Sequence, residues 1–219
     1  VAYEATPIRL FPEPIADEDL TIDVEASTSL TGEGTLDSDL PRPPDVGFFG
    51  RDETLLALDR AFDDHSIVLL HGYAGCGKTT TAAEFARWYS ITGGVEGPVL
   101  FTSFEHYRPL AQVLSEIERV FGPVLKQAGV QWLTLDDDGR RAVALDVLGQ
   151  VPVLWIWDNI EPIAGFPEGT ESAWSPDEQA ELLDFLRDAR GTRAKFLLTS
   201  RRDERGWLGD LPCRVTMPP

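Results

Sequence analysis

The sequence predicts an α/β protein with a five-stranded, mostly parallel sheet, helices on both faces, and an acidic, irregular extension in front of it. From Val46 onward, short apolar segments alternate with longer segments whose apolar residues recur at helical spacing. This alternation is typical of a parallel sheet, because a parallel strand pair needs a crossover connection that is usually a helix. A single hydrophobic core fits a chain of 219 residues. The predicted strands are residues 66–71, 98–103, 153–158, 194–200 and 213–217.

The helices are predicted from the spacing of apolar residues and from residue types that are typical of helix ends. Pro109 opens the third helix, because proline is favoured in a first helical turn. The fifth helix begins at Ser175 with Glu178 three residues later, which is the pattern of a capping box, and it stops at Gly191. The predicted helices are residues 51–62, 78–89, 109–121, 140–148 and 175–190.

Residues 1–45 differ in composition from the rest of the chain. They hold eleven acidic residues against two arginines, a net charge of −9 and thus half of the total of −18. They lack sustained periodicity and are rich in proline, glycine, serine and threonine, so we expect a linker or an extension that wraps the core. The alternating segment 20–26 could add an edge strand. The expected organisation is an extension at 1–45 and a core at 46–219.

The composition of the chain argues against several kinds of binding partner and cellular location. A net charge of −18 argues against nonspecific binding to nucleic acid or anionic membranes, and we expect neither as a partner. No apolar run has bilayer length and the start lacks the pattern of a signal peptide, so we expect a cytoplasmic protein. The cysteines, Cys76 and Cys213, have no metal-binding spacing and are expected to be reduced. Because the chain begins with Val1, we expect a piece of a longer protein.

A phosphate-binding loop follows the first predicted strand and precedes a helix. The segment matches the pattern G-x-x-x-x-G-K-S/T, and the strand before it and the helix after it are the context that this motif requires. Glycines let successive N–H groups point at phosphate oxygens, and the helix N-terminus adds its positive dipole end. Lys78 is expected to reach the β and γ phosphates, and Thr79 to bind Mg²⁺. We assign nucleotide binding to Gly72, Tyr73, Ala74, Gly75, Cys76, Gly77, Lys78, Thr79 and Thr80.

A second motif ends the third predicted strand at Asp158. An acid at the end of an apolar strand, in a protein that has a phosphate loop, is expected to hold Mg²⁺ together with Thr79. Hydrolysis also needs an acid that orients water, yet the next residue is Asn159, which cannot accept a proton. Two candidates for that acid remain open, Glu161 beyond a turn and Glu105 after the second strand, whose strand is expected to border that of Asp158.

A third feature is an arginine after the fourth predicted strand. Arg201 would emerge near the third phosphate, and its planar fork of donors suits phosphate, so we interpret it as a sensor of that phosphate. The motif N/T-K-x-D, which reads guanine, is absent, because neither Lys126 nor Lys195 has an aspartate two residues later. The expected ligands are therefore ATP or ADP with Mg²⁺.

From about Val46 to Pro219 the chain resembles the STAND class of signalling NTPases, relatives of NB-ARC domains. The resemblance rests on "GFFGRDETLLALDRAF", the phosphate loop, "VLWIWDNIE" and "FLLTSRRDE". It implies a P-loop NTPase fold, and it implies that Arg201 is a sensor arginine. It also implies that the element of Gly50, Arg51 and Glu53, with Phe49 in the apolar pair before it, helps to enclose the base and ribose. Residues 1–11, "VAYEATPIRLF", resemble the tail of a CHAT domain.

The resemblance implies an ATP/ADP switch in which nucleotide closes the core against a helical lid and a winged-helix domain. Our first hypothesis is such a regulatory switch with slow hydrolysis; its partners would be downstream lid, winged-helix and sensor domains or other proteins. We expect this fragment to be monomeric and the full-length protein to oligomerise on activation. The alternatives are an AAA+-like remodelling ATPase, a nucleotide-stabilised scaffold that never hydrolyses, and, less strongly supported, a kinase.

Overall fold

The computed structural model describes residues 35–45, 47–167 and 169–218. Its helices are α1 (Asp52–Asp64), α2 (Lys78–Ile91), α3 (Leu110–Gln127), α4 (Asp137–Gln150), α5 (Pro176–Ala189) and α6 (Arg205–Leu208). Its strands are β1 (Ile67–His71), β2 (Val99–Ser103), β3 (Leu154–Asp158), β4 (Lys195–Ser200) and β5 (Cys213–Thr216). Short 3-10 helices span Trp132–Thr134 and Glu161–Ala164.

The five strands form one parallel sheet in the order β2-β3-β4-β1-β5, which confirms the predicted fold class. Pairing puts Ser103 opposite Asp158, so β2 borders β3 as the sequence predicted. It also puts His71 opposite Ser200. Because all strands are parallel, their carboxyl ends meet at one edge of the sheet, where ligands bind in open α/β folds. The phosphate loop follows β1, Asp158 is the last residue of β3, and Arg201 follows β4. The topology therefore places all three at this edge of the sheet.

Two hydrophobic clusters cover the two faces of the sheet. On one face, Trp155, Trp157 and Phe196 lie beneath α3, α4 and α5, and the rings of Trp155 and Trp157 are 6.1 Å apart. This confirms that the two tryptophans share a face and belong to the core. On the other face, α2 packs Ala82, Ala83 and Phe85 against apolar residues of the strands. The phosphate loop leads directly into this buried helix.

Three of the five predicted helices lie within two residues of their predicted bounds, and the other two extend further. α3 continues to Gln127 although Pro123 lies inside it and lacks a backbone N–H. It persists because its apolar face, including Ile117, Phe121 and Leu125, is buried against the core. α4 begins at Asp137, earlier than predicted, because the Asp136 side chain caps it by accepting a hydrogen bond from the Gly139 N–H.

The segment that precedes the predicted core packs along the free edge of β2. Thr35 accepts a hydrogen bond from the Val99 N–H at 3.0 Å through its carbonyl. The buried carboxylate of Asp37 accepts one from the Phe101 N–H at 2.9 Å and pairs with Arg119. These contacts satisfy strand N–H groups that an uncovered edge would expose. The expected edge strand at 20–26 and the CHAT-like segment 1–11 lie outside the described residues.

No helix in the described part of the chain is long and apolar enough to cross a membrane.

Candidate nucleotide-binding site

The phosphate loop connects β1 to α2 through a backbone that only glycine adopts readily. Gly75 has a φ of 76° and Gly77, which caps α2, has a φ of 88°. Side chains with a Cβ rarely adopt these angles, so both positions require glycine. The N–H groups of the first turn of α2 have no partner within the helix and carry the positive end of its dipole. The loop therefore forms a cradle for an anion.

Lys78 lies across this cradle. Its Nζ donates hydrogen bonds to the carbonyls of Gly72 and Tyr73, each at 2.9 Å, and lies 3.9 Å from the Cys76 sulfur. A Cβ at Gly72 would make a tight contact of 3.1 Å with both the side chain and the carbonyl oxygen of Met217. The ammonium is thus held inside the loop, where phosphate oxygens would be within its reach.

Three side chains from distant parts of the chain meet at the end of β3. The Thr79 hydroxyl lies 3.0 Å from both carboxylate oxygens of Asp158. The Thr199 hydroxyl donates to Asp158 at 2.5 Å and accepts from the Asn159 N–H at 2.9 Å. The sequence did not predict Thr199; its signal was a polar residue near the end of a strand with an apolar centre. These bonds fix the orientation of the Asp158 carboxylate.

Burial raises the pKa of Asp158 above its ordinary value, and the negative charge of Glu105 adds to this effect. Hydrogen bonds from Thr199 and Thr79 and the positive charge of Lys78 act in the opposite direction. A buried carboxylate with an adjacent hydroxyl is an oxygen donor set of the kind that Mg²⁺ prefers. A bound cation would offset the cost of burying this charge, so Thr79 and Asp158 fit the predicted magnesium site.

The chain turns sharply after β3. Asn159 has a φ of 61°, a left-handed conformation that asparagine tolerates better than most residues. The Ile160 N–H then bonds to the Thr199 carbonyl at 3.0 Å. This turn directs Glu161 into the protein, where the residue is 1% exposed.

The two candidate acids have opposite environments. Glu105 is exposed, its N–H bonds to the Ser103 hydroxyl at 3.3 Å, and its charge acts on Asp158. Glu161 is buried, and within the described residues neither of its carboxylate oxygens accepts a hydrogen bond. One of them lies 2.9 Å from Arg201 Nε in an ion pair. Only Glu105 is therefore open to solvent water.

Arg201 lies beside Glu161, with its guanidinium 5.3 Å from the centre of the Phe166 ring. Its side chain is 43% exposed. The neighbouring Arg202 also lies over Phe166, at 5.5 Å, and pairs with the buried Glu204. The sequence identified Arg201 but gave no signal for Phe166, because its contact depends on how two loops fold together.

The N-terminal element of the site reaches the phosphate loop directly. Arg51 donates through Nη2 to the Cys76 carbonyl and through Nη1 to the Pro218 carbonyl, each at 3.1 Å. Gly50 has a φ of 74°, which sets the turn before α1, and Phe49 is 81% exposed. Arg51 thus joins the loop to the segments before α1 and after β5. Tyr73 is also largely exposed at the mouth of the loop.

The parallel strand order, the glycine cradle and the paired hydroxyl and carboxylate define a phosphate-loop nucleotide-binding protein. The chain belongs to the AAA ATPase domain family, whose model matches residues 47–199. Comparison with curated proteins gave no match.

Three solved structures share the fold. A Walker-type ATPase of Pyrococcus abyssi gives a TM-score of 0.55 at 15% identity, covering 82% of this chain and 56% of its own. The ORC2 protein of Aeropyrum pernix, in ADPNP and ADP complexes, gives 0.54 at 15% identity, covering 83% and 50%. The ORC1 protein of the same organism, in complex with DNA, gives 0.53 at 20% identity, covering 80% and 47%. At these identities the likeness shows the fold alone, and this chain spans about half the length of these structures.

Proposed function

We propose that this ATPase domain is the ATP/ADP-binding switch core of a STAND-type signalling protein, with slow, magnesium-dependent hydrolysis of ATP. The observation that carries the proposal is the residue after Asp158. Asn159 has an amide that cannot accept a proton, and its left-handed backbone turns the next acid, Glu161, into the protein. Rapid turnover needs an acid held beside the attacking water. Only the exposed Glu105 is available for that task, which favours a molecule that retains its nucleotide.

The residues of the chain supply binding and positioning. The loop N–H groups and Lys78 bind the phosphates, while Thr79 and Asp158 hold Mg²⁺. When bound, the cation neutralises phosphate charge. Thr199 keeps the Asp158 carboxylate oriented, and Glu105 orients water loosely from the end of the neighbouring strand. Arg201 reads the third phosphate.

The base and ribose are enclosed by the segment of Phe49, Gly50 and Arg51. Support comes from Arg51, which is hydrogen-bonded to the phosphate loop and therefore holds this segment beside it. The exposed Phe49 ring offers an apolar surface for a base. We propose adenine as that base, since the guanine-reading motif is absent.

The direct test measures binding of ATP, ADP and GTP to the purified chain by calorimetry, with Mg²⁺ and with a chelator. We expect ATP and ADP to bind, ATP to bind more tightly with Mg²⁺, and GTP to bind weakly. Chromatography of the denatured protein identifies any nucleotide that copurifies, and ADP would support a resting switch. A chain that binds neither adenine nucleotide with Mg²⁺ would exclude the proposal.

An AAA+-like remodelling ATPase is the second candidate, because the family match is to the AAA ATPase domain as a whole. The turnover rate separates the two functions: a remodelling enzyme hydrolyses ATP at rates near the typical 10 per second, whereas a switch holds it for minutes. ATP that stays intact through a long incubation would instead favour a scaffold that binds nucleotide without hydrolysis.

The partners of the switch are proposals as well. We infer downstream lid, winged-helix and sensor domains, or separate partner proteins, and oligomerisation of the full-length protein on activation, with this fragment monomeric and cytoplasmic. Although the ORC1 structure is a DNA complex, a net charge of −18 leads us to expect no direct contact with nucleic acid here. Anisotropy with labelled DNA tests that expectation.

A further inference from the structure

The environment of Glu161 does not suit an acid that orients water. The residue is 1% exposed, and both carboxylate oxygens are shielded from solvent. A buried carboxylate needs a cation or several donors, because its charge is otherwise uncompensated in a medium of low dielectric constant. Its one close cationic partner in the described part of the chain is Arg201, whose Nε lies 2.9 Å from Oε1. Glu161 is thus placed to hold an arginine.

Arg201 is held along one edge and one face. Glu161 contacts Nε, and the Phe166 ring lies 5.3 Å from the centre of the guanidinium. The shortest contact between Arg201 and an acid is the one through Nε, and among the described residues its two terminal nitrogens have no hydrogen-bond partner. These two nitrogens form the edge that binds phosphate oxygens in a bidentate manner.

Arg202 provides a comparison within the same turn. It also lies over Phe166, but its Nε and a terminal nitrogen face Glu204 at 3.4 and 3.5 Å, and the same terminal nitrogen lies 3.5 Å from the Glu161 carbonyl. Two of its three nitrogens therefore have partners in the protein. Among the described residues, Arg201 is the one of the two arginines that has both terminal nitrogens without a hydrogen-bond partner.

We propose that Glu161 is a positioning residue, which together with Phe166 clamps Arg201 so that its terminal nitrogens face the third phosphate of the nucleotide. This inference rests on the nucleotide site of the proposed function and adds the residue that gives the site its preference for ATP over ADP. It assigns the orientation of water to Glu105 alone. Because the Glu161–Ala164 helix and Phe166 belong to one loop, the position of the Arg201 side chain depends on the conformation of that loop.

The test compares Glu161→Gln, Arg201→Gln and the double variant, with Arg202→Gln as the matched control on the same ring. Dissociation constants for ATP and ADP are measured by calorimetry with Mg²⁺. We expect each single variant to bind ATP about tenfold more weakly, as loss of a charge-assisted hydrogen bond implies, with ADP affinity nearly unchanged. The double variant should be no weaker than Arg201→Gln, and the control should retain the preference for ATP.

A second readout needs no nucleotide. Arg201→Gln leaves a buried carboxylate without its cation, so its urea unfolding midpoint should fall further than that of Glu161→Gln, and the double variant should recover part of the loss. Should Glu161→Gln fail to fold, Arg201→Lys replaces it. This variant keeps the charge beside Glu161 but lacks the fork, so it should unfold near the wild-type midpoint and lose the preference for ATP.

Other outcomes would overturn the inference. If Glu161→Gln kept the ATP preference but lost hydrolysis, Glu161 would be the water-orienting acid. If the changes in unfolding midpoint of the two single variants added up to that of the double variant, the two side chains would not act as a pair. A wild-type chain that bound no nucleotide would overturn the proposed function and this inference with it, whereas failure of the variants alone would leave the proposed function standing.

Discussion

The carboxyl edge of the sheet has two parts that are built differently. The phosphate-loop part consists of residues 72–79 with Asp158 and Thr199, and the arginine part consists of residues 161–166 and 200–205. In the first part, glycine conformations shape the loop, and hydrogen bonds from Thr79 and Thr199 orient Asp158. In the second part, two loops hold Arg201, whose terminal nitrogens have no hydrogen-bond partner in the described part of the chain. Under the proposed function, the first part would bind nucleotide and the second would distinguish ATP from ADP.

The largest expected effect comes from Lys78→Ala in the phosphate-loop part. Since the ammonium is expected to reach the β phosphate, which ATP and ADP share, both should bind about a hundredfold more weakly, the upper range for a charged hydrogen bond. Calorimetry with each nucleotide measures this, with the exposed Lys126→Ala as control. A loss confined to ATP would contradict the division between the two parts.

The two parts also differ in how far the sequence predicts them. The loop motif encodes its own backbone, so residues 72–79 and the strand that ends in Asp158 could be predicted without a structure. The five strands and their parallel arrangement were predictable for a similar reason, since their apolar runs and the helices between them are local signals. These features depend on residues that are close along the chain.

The remaining features depend on residues far apart in sequence. The contact of Thr199 with Asp158 spans 41 positions, and the pairing of Glu161 with Arg201 follows from the turn at Asn159. The sequence therefore left Glu105 and Glu161 as equal candidates, although burial separates them clearly. The contact of Asp37 with β2 could likewise not be predicted, because Asp37 lies in a segment whose composition is typical of a linker.

Asp158→Asn separates function from stability in the phosphate-loop part. We expect Mg²⁺ to lose its effect on ATP affinity, a change of about tenfold or more, since an amide is a poor ligand for that cation. Stability should respond differently. Burial raises the pKa of Asp158, so the ionised side chain destabilises the fold at neutral pH, while asparagine carries no charge and still accepts from both threonines.

The dependence of stability on pH tests whether the ionised Asp158 side chain destabilises the fold. The folded protein binds the Asp158 proton more tightly than the unfolded chain does, so this group lowers stability as pH rises from about 4, its ordinary pKa, through the raised value. The wild type should show this decline in urea unfolding midpoints, and Asp158→Asn should lack it. The exposed Asp210→Asn is the control, and a variant less stable than wild type at pH 7 would contradict the expectation.

Thr199→Val tests whether the network that orients Asp158 is needed. Valine has a similar shape but removes the donor to the carboxylate and the acceptor of the Asn159 N–H, leaving buried groups unpaired. The free energy of unfolding should fall by about 1–3 kcal/mol. ATP affinity with Mg²⁺ should also weaken severalfold. Thr199→Ser keeps the hydroxyl and should recover most of both, so an equal loss in serine would point to packing alone.

The smallest expected effect is that of Glu105→Gln on hydrolysis. A general base held inside an active site contributes about 10²- to 10⁴-fold. Glu105 is exposed and, in the described part of the chain, is held only through its backbone N–H. It would therefore orient water loosely, and we expect the single-turnover rate to fall about fivefold. Binding of ATP and ADP should change little, because the side chain is assigned no contact with phosphate.

The matched control is Glu96→Gln, an exposed glutamate before β2 at the opposite end of that strand. It carries the same loss of charge but lies away from the carboxyl edge, so its hydrolysis rate should equal that of the wild type. If Glu105→Gln abolished hydrolysis by several orders of magnitude, the acid would be as well placed as that of a motor ATPase. The lack of an acidic side chain at position 159 would then give no information about the rate of hydrolysis. The switch hypothesis would lose its main support.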